Sequence, residues 1–473
     1  MKHGGAALAA VITLAPSVAA ARTYAVGPGR TYPDLKAVAP LLKPGDRVEV
    51  DGNATYAGGL VLREPGSPGA KITLVGKREE GRRPVIAGGV TTIEIAADHY
   101  VIEGFEITGG SSRCLFHHAH DVTVRDTVIH GCAQHGVLGA DDDTGSLTLS
   151  YVEVHHAGRG EGAHPIYMAT DEEAHPGSVF RMEHCYVHDG IGGNSVKSRA
   201  ERNEIYSNWI EGGLYHELEL IGPDGASRKR AREDSDVVGN VIQKLGRGNA
   251  IRVGGDGTGA TNGRYRFVNN TIVLGRDARA AFRLFDGLEC IEMHNNVIAR
   301  EGGGPVRVVA AEEARWVAGR VVISGSHNWI PMGSSGVPPT WTDTLAGRDP
   351  GFVSERDPRP VAGSPLIGAG ASSPRSMASF EFPAPLAAPR AHPPMRALEK
   401  VGTARARLRG AVDIGAFSAD GAPDPVVAPA PRGGCGCLAG ARSVRHALIA
   451  PVFALAALLR RARRAAASRA RRS

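Results

Sequence analysis

The chain has 473 residues, with 62 glycines and aromatic residues at only 5%, a balance that suits many short strands joined by tight turns and excludes a helical protein. Its formal charge of +6 misleads, because nine arginines lie in the last 32 residues; taking those nine and Lys2 from +6 leaves a body near −4. A body of that sign is not the basic surface a nucleic-acid partner requires.

The first element in chain order is an export segment over 1–21: Lys2 at the start, an apolar middle, and small residues before a cut near Ala21. The body follows. Apolar positions over 35–42 recur at helical spacing, and Pro44 with Gly45 stops them, so a short helix is predicted there, placed to cover the open end of a sheet. Strands are predicted at 48–50 and 71–76.

A phrase then returns seven times, an alternating apolar run, an Asn or Asp, and an apolar pair: VTVRDTVIH, LTLSYVEVH, FRMEHCYVH, NEIYSNWIE, DVVGNVIQ, YRFVNNTIV and IEMHNNVIA. Anchoring each on its last apolar residue gives Val128, Val154, Val187, Ile210, Ile242, Ile272 and Ile298, at intervals of 26, 33, 23, 32, 30 and 26 residues. Irregular spacing around a fixed short strand predicts a solenoid whose loops vary in length, with about nine to eleven coils. Alternation puts Val122, Val124 and Val128 inward and Arg125 outward. Asn208, Asn240, Asn270 and Asn296 share one phase and are read as a structural ladder, with Asp126 also in phase. Cys114 and Cys132 fall on neighbouring coils and could pair, whereas Cys185 and Cys290 read as buried.

The phrases DPGF at 349–352, GSPLIGAG at 363–370 and DIGAF at 413–417, with PGDRVEV and TYAGG near the start, resemble the opening and closing coils of secreted, pectate-lyase-like parallel β-helix proteins. That resemblance spans 22–418 and implies an all-β fold: a single-stranded right-handed parallel β-helix with an N-terminal capping helix. Residues 371–410 are read as an irregular outer run, and 419–434 as a Pro/Ala-rich stalk. The tail, 435–473, joins a Cys-Gly-Cys motif to a 14-residue apolar run and an arginine cluster. It resembles the MYXO-CTERM sorting signal, which implies a sorting protease as partner, anchoring at Cys435 or Cys437, and a place on the cell surface or outer membrane.

Polar residues are densest from His155 to Glu219. In VKSRA, Lys197 and Arg199 share a face at period two, and two adjacent cations need acids or an anionic ligand to answer them. Glu217 and Glu219, about one coil later, have matching spacing. One reading is therefore a cross-strand ion network. The other has the cations holding the carboxylate of a uronate polymer while one group removes the C5 proton in β-elimination.

The passage VKSRAERNEIYSNWIEG also resembles the region that carries the catalytic lysine in the chondroitinase B/alginate lyase family, with Lys197-Ser198 matching its Lys-Ser pair. The resemblance implies an arginine on the next coil; LYHELELIG has none, so His216 or Arg199 would substitute, with His164 a further candidate. It also implies Ca²⁺, for which Asp141, Asp143, Asp171 and Glu173 are the ligand candidates. Tyr215 and Trp209 are candidate sugar platforms beside Glu217 and Glu219. Twelve histidines between His117 and His216 carry no metal spacing, but His130, His155 and His188 share a phase that predicts a surface column. Asp141, Asp142, Asp143 and Glu161 leave a glycoside hydrolase as a third reading. The expected function is a monomeric surface protein engaging an acidic polysaccharide, as a lyase or as a non-catalytic binding or envelope protein.

Overall fold

The structure, a computed structural model, describes residues 20–140, 142–222, 234–255, 263–285, 287–311, 322–376, 389, 391–403 and 411–419. The chain divides into two compact units, Met1–Ala428 and Pro429–Ser473. The second unit, with Cys435 and Cys437, lies outside the described residues, as do nearly all of the export segment, Asp141, and all but the first residue of the stalk. Among the described residues no helix is long and apolar enough to cross a membrane.

A coil is seen in the strands Val179–Glu183, Tyr186–His188 and Val196–Arg199, which lie along three successive faces. The first two belong to a sheet of 23 strands that bends once in every coil, and the third to a separate sheet of ten strands. Both are parallel throughout, so each strand hydrogen-bonds to its counterpart one coil away. Val154 stands opposite Val187, and the column continues through Ile210, Ile242, Ile272 and Ile298. Met182, Ile205, Val237, Phe267 and Met293 fill the second inner face, and Ile166, Val196, Leu218, Ile251 and Phe282 the third. All of these are fully buried. At about 1.5–3 kcal/mol for each such side chain, stacking of coils supplies an interior that no single coil could close.

One expected anchor is displaced. Ile129, not Val128, stands opposite Val154, while Val128 faces outward opposite Glu153. The cause is the bend within Val122–His130: Asp126 has φ 47°, a left-handed residue that turns the chain and resets the inward/outward alternation by one. Nine successive coils bend this way, at Asp126, Tyr151, His184, Ser207, Asn269, Asn295 and His327, and at glycines 104 and 239. Left-handed backbone costs most side chains about 1–2 kcal/mol, and Asn, Asp and His tolerate it best.

The residue after the bend is always buried. In the earlier coils it is Phe105, Thr127, Val152 and Cys185; afterwards it is Asn208, Asn240, Asn270, Asn296 and Asn328. Each asparagine Oδ1 accepts the backbone N–H of the preceding coil's counterpart, at 2.8–3.0 Å. The ladder thus has a fifth member, Asn328, and Asp126 belongs to the bend and not to the ladder.

The helix is shorter than expected, Leu35–Val38 followed by a 3₁₀ turn at Ala39–Leu41, with Asp34 capping it through the Ala37 N–H at 3.0 Å. Its Leu35 and Val38, with Leu42, join the main apolar core. Cys114 and Cys132 are bridged between neighbouring coils, and Cys185 and Cys290 are buried and unbridged. The described residues of 371–410 form no helix or strand.

Candidate functional site

Alternation along the ten-stranded sheet decides what it shows outside. With Ile166, Val196, Leu218, Ile251 and Phe282 turned inward, their neighbours Tyr167, Lys197, Glu219, Arg252 and Arg283 turn outward. Register stacks these five in one row, each opposite the next, at the roughly 4.8 Å spacing of adjacent strands. Lys197 Nζ lies 5.1 Å from the Tyr167 ring centre and 3.8 Å from Glu219 Oε2. Asn194 Nδ2 donates to the same Glu219 oxygen at 2.6 Å, and Arg252 Nη1 pairs with the other. The Arg252 and Arg283 guanidinium carbons lie 4.2 and 4.3 Å from the centre of the Phe285 ring. Lys197 and Arg252 side chains are each 16% exposed, whereas Glu219 is 2% exposed. The row therefore offers cations outward with their linking carboxylate sunk between them.

The expected four-membered ion network is divided. Arg199 stands opposite Ala169, is buried, and donates from Nη1 to the Gly222 carbonyl at 2.7 Å. Glu217 precedes its strand at the corner of the coil, where alternation does not extend, and is completely enclosed. It accepts from Ser195 Oγ at 2.6 Å and Gly213 N at 2.8 Å, and lies 3.3 Å from the equally enclosed Lys244. Burial pushes the Glu217 carboxyl above its ordinary range, with Lys244 opposing. The expectation that Glu217 touches a ligand is corrected: it is an interior ion-pair partner.

Trp209 is corrected in the same way. It is fully buried, donates Nε1–H to Glu211 at 2.9 Å, packs in a cluster with Tyr186, Val241 and Phe417, and is covered by the Arg396 guanidinium at 4.4 Å. Tyr215 does reach the surface, its hydroxyl donating to Glu161 at 2.8 Å. With Glu161 so engaged and Asp143 3.3 Å from His175, those acids have other partners than each other.

A second ladder precedes the ten-stranded sheet. His135 Nδ1 accepts from His164 N at 3.2 Å, His164 Nδ1 from Asn194 N at 2.9 Å, and Asn194 Oδ1 from His216 N at 3.0 Å. His216 reverses the sense, its Nδ1 donating to the Asn249 carbonyl at 3.0 Å. Burial, then the charge of Lys197, pushes His164 down to about 3. Burial, then Arg113, takes His135 to about 4. Burial also lowers His216, against the Asn249 carbonyl. These imidazoles are neutral near pH 7. His164 and His216 thus hold the corner beside Lys197 and Glu219.

Of the residues proposed for calcium, Asp141 lies outside the described residues and Asp171 is already engaged. Asp171 Oδ1 already accepts from Glu173 N and Ala174 N at 3.1 and 3.0 Å, and Oδ2 from Asp143 N at 3.1 Å, an arrangement that fastens a turn. Among the described residues no group of three or more His, Cys, Asp or Glu is placed to hold a metal ion. No step is assigned to calcium.

On the bent sheet His130, His155 and His188 stack at 4.8 and 5.0 Å between ring centres, as their shared phase predicts. His130 pairs with Glu106, and His188 with Glu153, each at 3.0 Å. Burial, then its two neighbouring imidazoles, takes the middle ring, His155, down to about 4.

Arg252, Arg283, Asn194 and Asn249 are missed by the sequence reading. A signal was present: IRV and FRL repeat the apolar–polar–apolar triplet of LEL.

The structure is similar to that of pectate lyase Pel9A, with a TM-score of 0.51 at 14% identity, over 84% of this chain and 96% of that one. It is also similar, with lower TM-scores, to an alginate lyase from Paenibacillus sp. str. FPU-7 (0.39, 14% identity, 64% of this chain and 97% of that one) and to a rhamnogalacturonan lyase (0.42, 12%, 69% and 87%). The first of these likenesses carries the fold: the chain is a right-handed parallel β-helix. No protein-family model and no curated protein sequence matches it.

Proposed function

We propose that this protein binds an acidic polysaccharide along the outer face of the ten-stranded sheet. The observation that carries the reading is the row Tyr167, Lys197, Glu219, Arg252 and Arg283, in register at one-coil spacing. A row of cations on a rigid scaffold suits a polymer with repeated carboxylates, and the aromatic side chain at one end offers a face to a sugar ring. That the fold is shared with a protein named a pectate lyase supports the substrate class.

The finer reading is β-elimination. Arg252 and Arg283 would neutralise a uronate carboxylate, which acidifies the C5 proton; Lys197 as the neutral amine would accept that proton as the C4=C5 double bond forms and the C4–O bond breaks, and the leaving oxygen would take a proton from solvent. A non-catalytic reading is favoured by one observation: Glu219, one coil after Lys197, stands where the lyase resemblance expects arginine, and it already answers both Lys197 and Arg252.

The test incubates purified protein with alginate, pectate and glycosaminoglycans and follows the ultraviolet band of the unsaturated uronide. Elimination that disappears in Lys197→Ala establishes the lyase. Binding without elimination, weakened in Lys197→Ala and Arg252→Ala, establishes the binding protein. No binding and no elimination with any acidic glycan removes both readings.

The proposal extends to place. Export through 1–21 and processing of 435–473 by a sorting protease, at Cys435 or Cys437, would tether the body as a monomer at the cell surface. Fractionation of cells carrying Cys435→Ser and Cys437→Ser checks this, since a tethered protein would be released into the medium.

A further inference from the structure

Where the row ends at Arg283, the corner ladder breaks. Strand Gly248–Val253 pairs with Ala278–Leu284 through a register shift: Gly248 stands opposite Ala278, but Asn249 stands opposite Ala280. Arg279 is the extra residue, and a bulge of this kind turns its side chain out of the regular column. Asn194 one coil pair earlier accepts a backbone N–H from the following coil. The side-chain amide of Asn249 forms no hydrogen bond to another described residue and is open to solvent at the pocket it lines.

Asn249 lines an open pocket of about 620 Å³, with Tyr215, His216, Arg247, Arg279 and Arg283. Three arginines stand there against one acid, Asp277. The side chains of Arg247 and Arg279 are exposed and form no hydrogen bond or ion pair with another described residue. Arginines that outnumber acids around an open pocket, with a side-chain amide in its wall, are arranged for an oxyanion that the protein does not itself supply. Tyr215 stands at the wall as an aromatic surface for a sugar ring.

We infer that this pocket is a subsite for one anionic substituent, a sulfate ester or a carboxylate, of the glycan that lies along the row. The inference rests on the proposed polysaccharide function and deepens it: the ligand carries charge on a residue that leaves the row and enters the bulge. Arg247 and Arg279 bind the oxyanion, and the Asn249 amide fixes its orientation.

The test titrates full-length protein, and the double variant Arg247→Gln/Arg279→Gln, with native, desulfated and carboxyl-reduced chondroitin sulfate. Both arginines are exposed, and melting curves check that the variant is folded. Loss of two charge-assisted contacts is expected to weaken binding about tenfold or more. If the difference vanishes after desulfation the substituent is sulfate, and if it vanishes after carboxyl reduction it is a carboxylate. Equal binding by both proteins overturns the pocket and leaves the function standing. Should wild-type protein bind none of the three, the function on this glycan fails, and inorganic sulfate and glucuronate decide the pocket. A melting temperature raised by either anion in wild type but not in the variant sustains it; no difference overturns it.

Discussion

Asn240→Ala is the most exposing perturbation of this fold. The Asn240 side chain is fully buried and makes four hydrogen bonds. Oδ1 accepts from Asn208 N at 2.8 Å and Asn208 Nδ2 at 3.0 Å. Nδ2 donates to the Ile205 carbonyl at 2.8 Å and to Asn270 Oδ1 at 3.0 Å. After truncation Asn208 Nδ2 still has the Met182 carbonyl, and Asn270 Oδ1 still has Asn240 N, but the Asn208 N–H loses its acceptor. An orphaned buried donor costs about 1–3 kcal/mol, and the three remaining bonds about 1 kcal/mol each, so a loss of about 4–6 kcal/mol is expected. Because solenoid coils can open locally, hydrogen exchange is the suitable assay. The Asn208 amide should exchange about 100-fold faster or more, since 1.4 kcal/mol is tenfold. Asn328→Ala, which removes three such bonds at the ladder's end, should cost about 1 kcal/mol less. An Asn240→Ala loss below about 1 kcal/mol would show that apolar stacking alone sustains the coils.

Lys244→Met leaves Glu217 enclosed without its cation, and urea unfolding at pH 7 should show a loss of about 3–5 kcal/mol. Glu217 titrates above its unfolded value, so its contribution is greatest below about pH 4.5 and is lost as pH rises, and the variant's deficit should shrink on acidification. Adding Glu217→Gln should restore most of the loss; a double variant as unstable as the single one contradicts the pairing. The histidine column gives opposite signs for two neighbours. His155, held near 4, favours the fold above about pH 6.5 and loses that contribution as pH falls toward 4. His188 is raised, since Glu153 and Asp189 outweigh the burial that opposes them, so its contribution is present at low pH and lost as pH rises past its folded value. Histidine titration by NMR separates them, and a His155 midpoint near 6.5 would refute the stacked column.

The asparagine ladder was legible because the same polar residue recurs at one phase, and a buried amide is retained only where neighbours satisfy it. Its fifth member, Asn328, was missed because the repeat was not followed past Ile298. Lys197 and Glu219 were legible as neighbours, since both occupy the middle of an apolar–polar–apolar triplet. Val128 was misplaced because alternation was carried through Asp126, where a left-handed bend interrupts it. Glu217 and Trp209 were misjudged for one reason. Whether a polar or aromatic side chain near a coil corner is covered depends on segments distant in sequence: Lys244 closes over one, and Arg396 with Phe417 over the other.

Local pattern therefore carried the architecture: apolar residues at period two, interrupted by bends, can bury their inner faces only by stacking coil on coil. Arg252 and Arg283 joined Lys197 in a row only through register across loops of unequal length. The bulge at Arg279 depended on one inserted residue that no composition or periodicity distinguishes. Short-range patterning acts through each coil's own need for burial. The site is a property of how coils are offset, and that offset is set by the summed packing of residues about 22 to 33 positions apart.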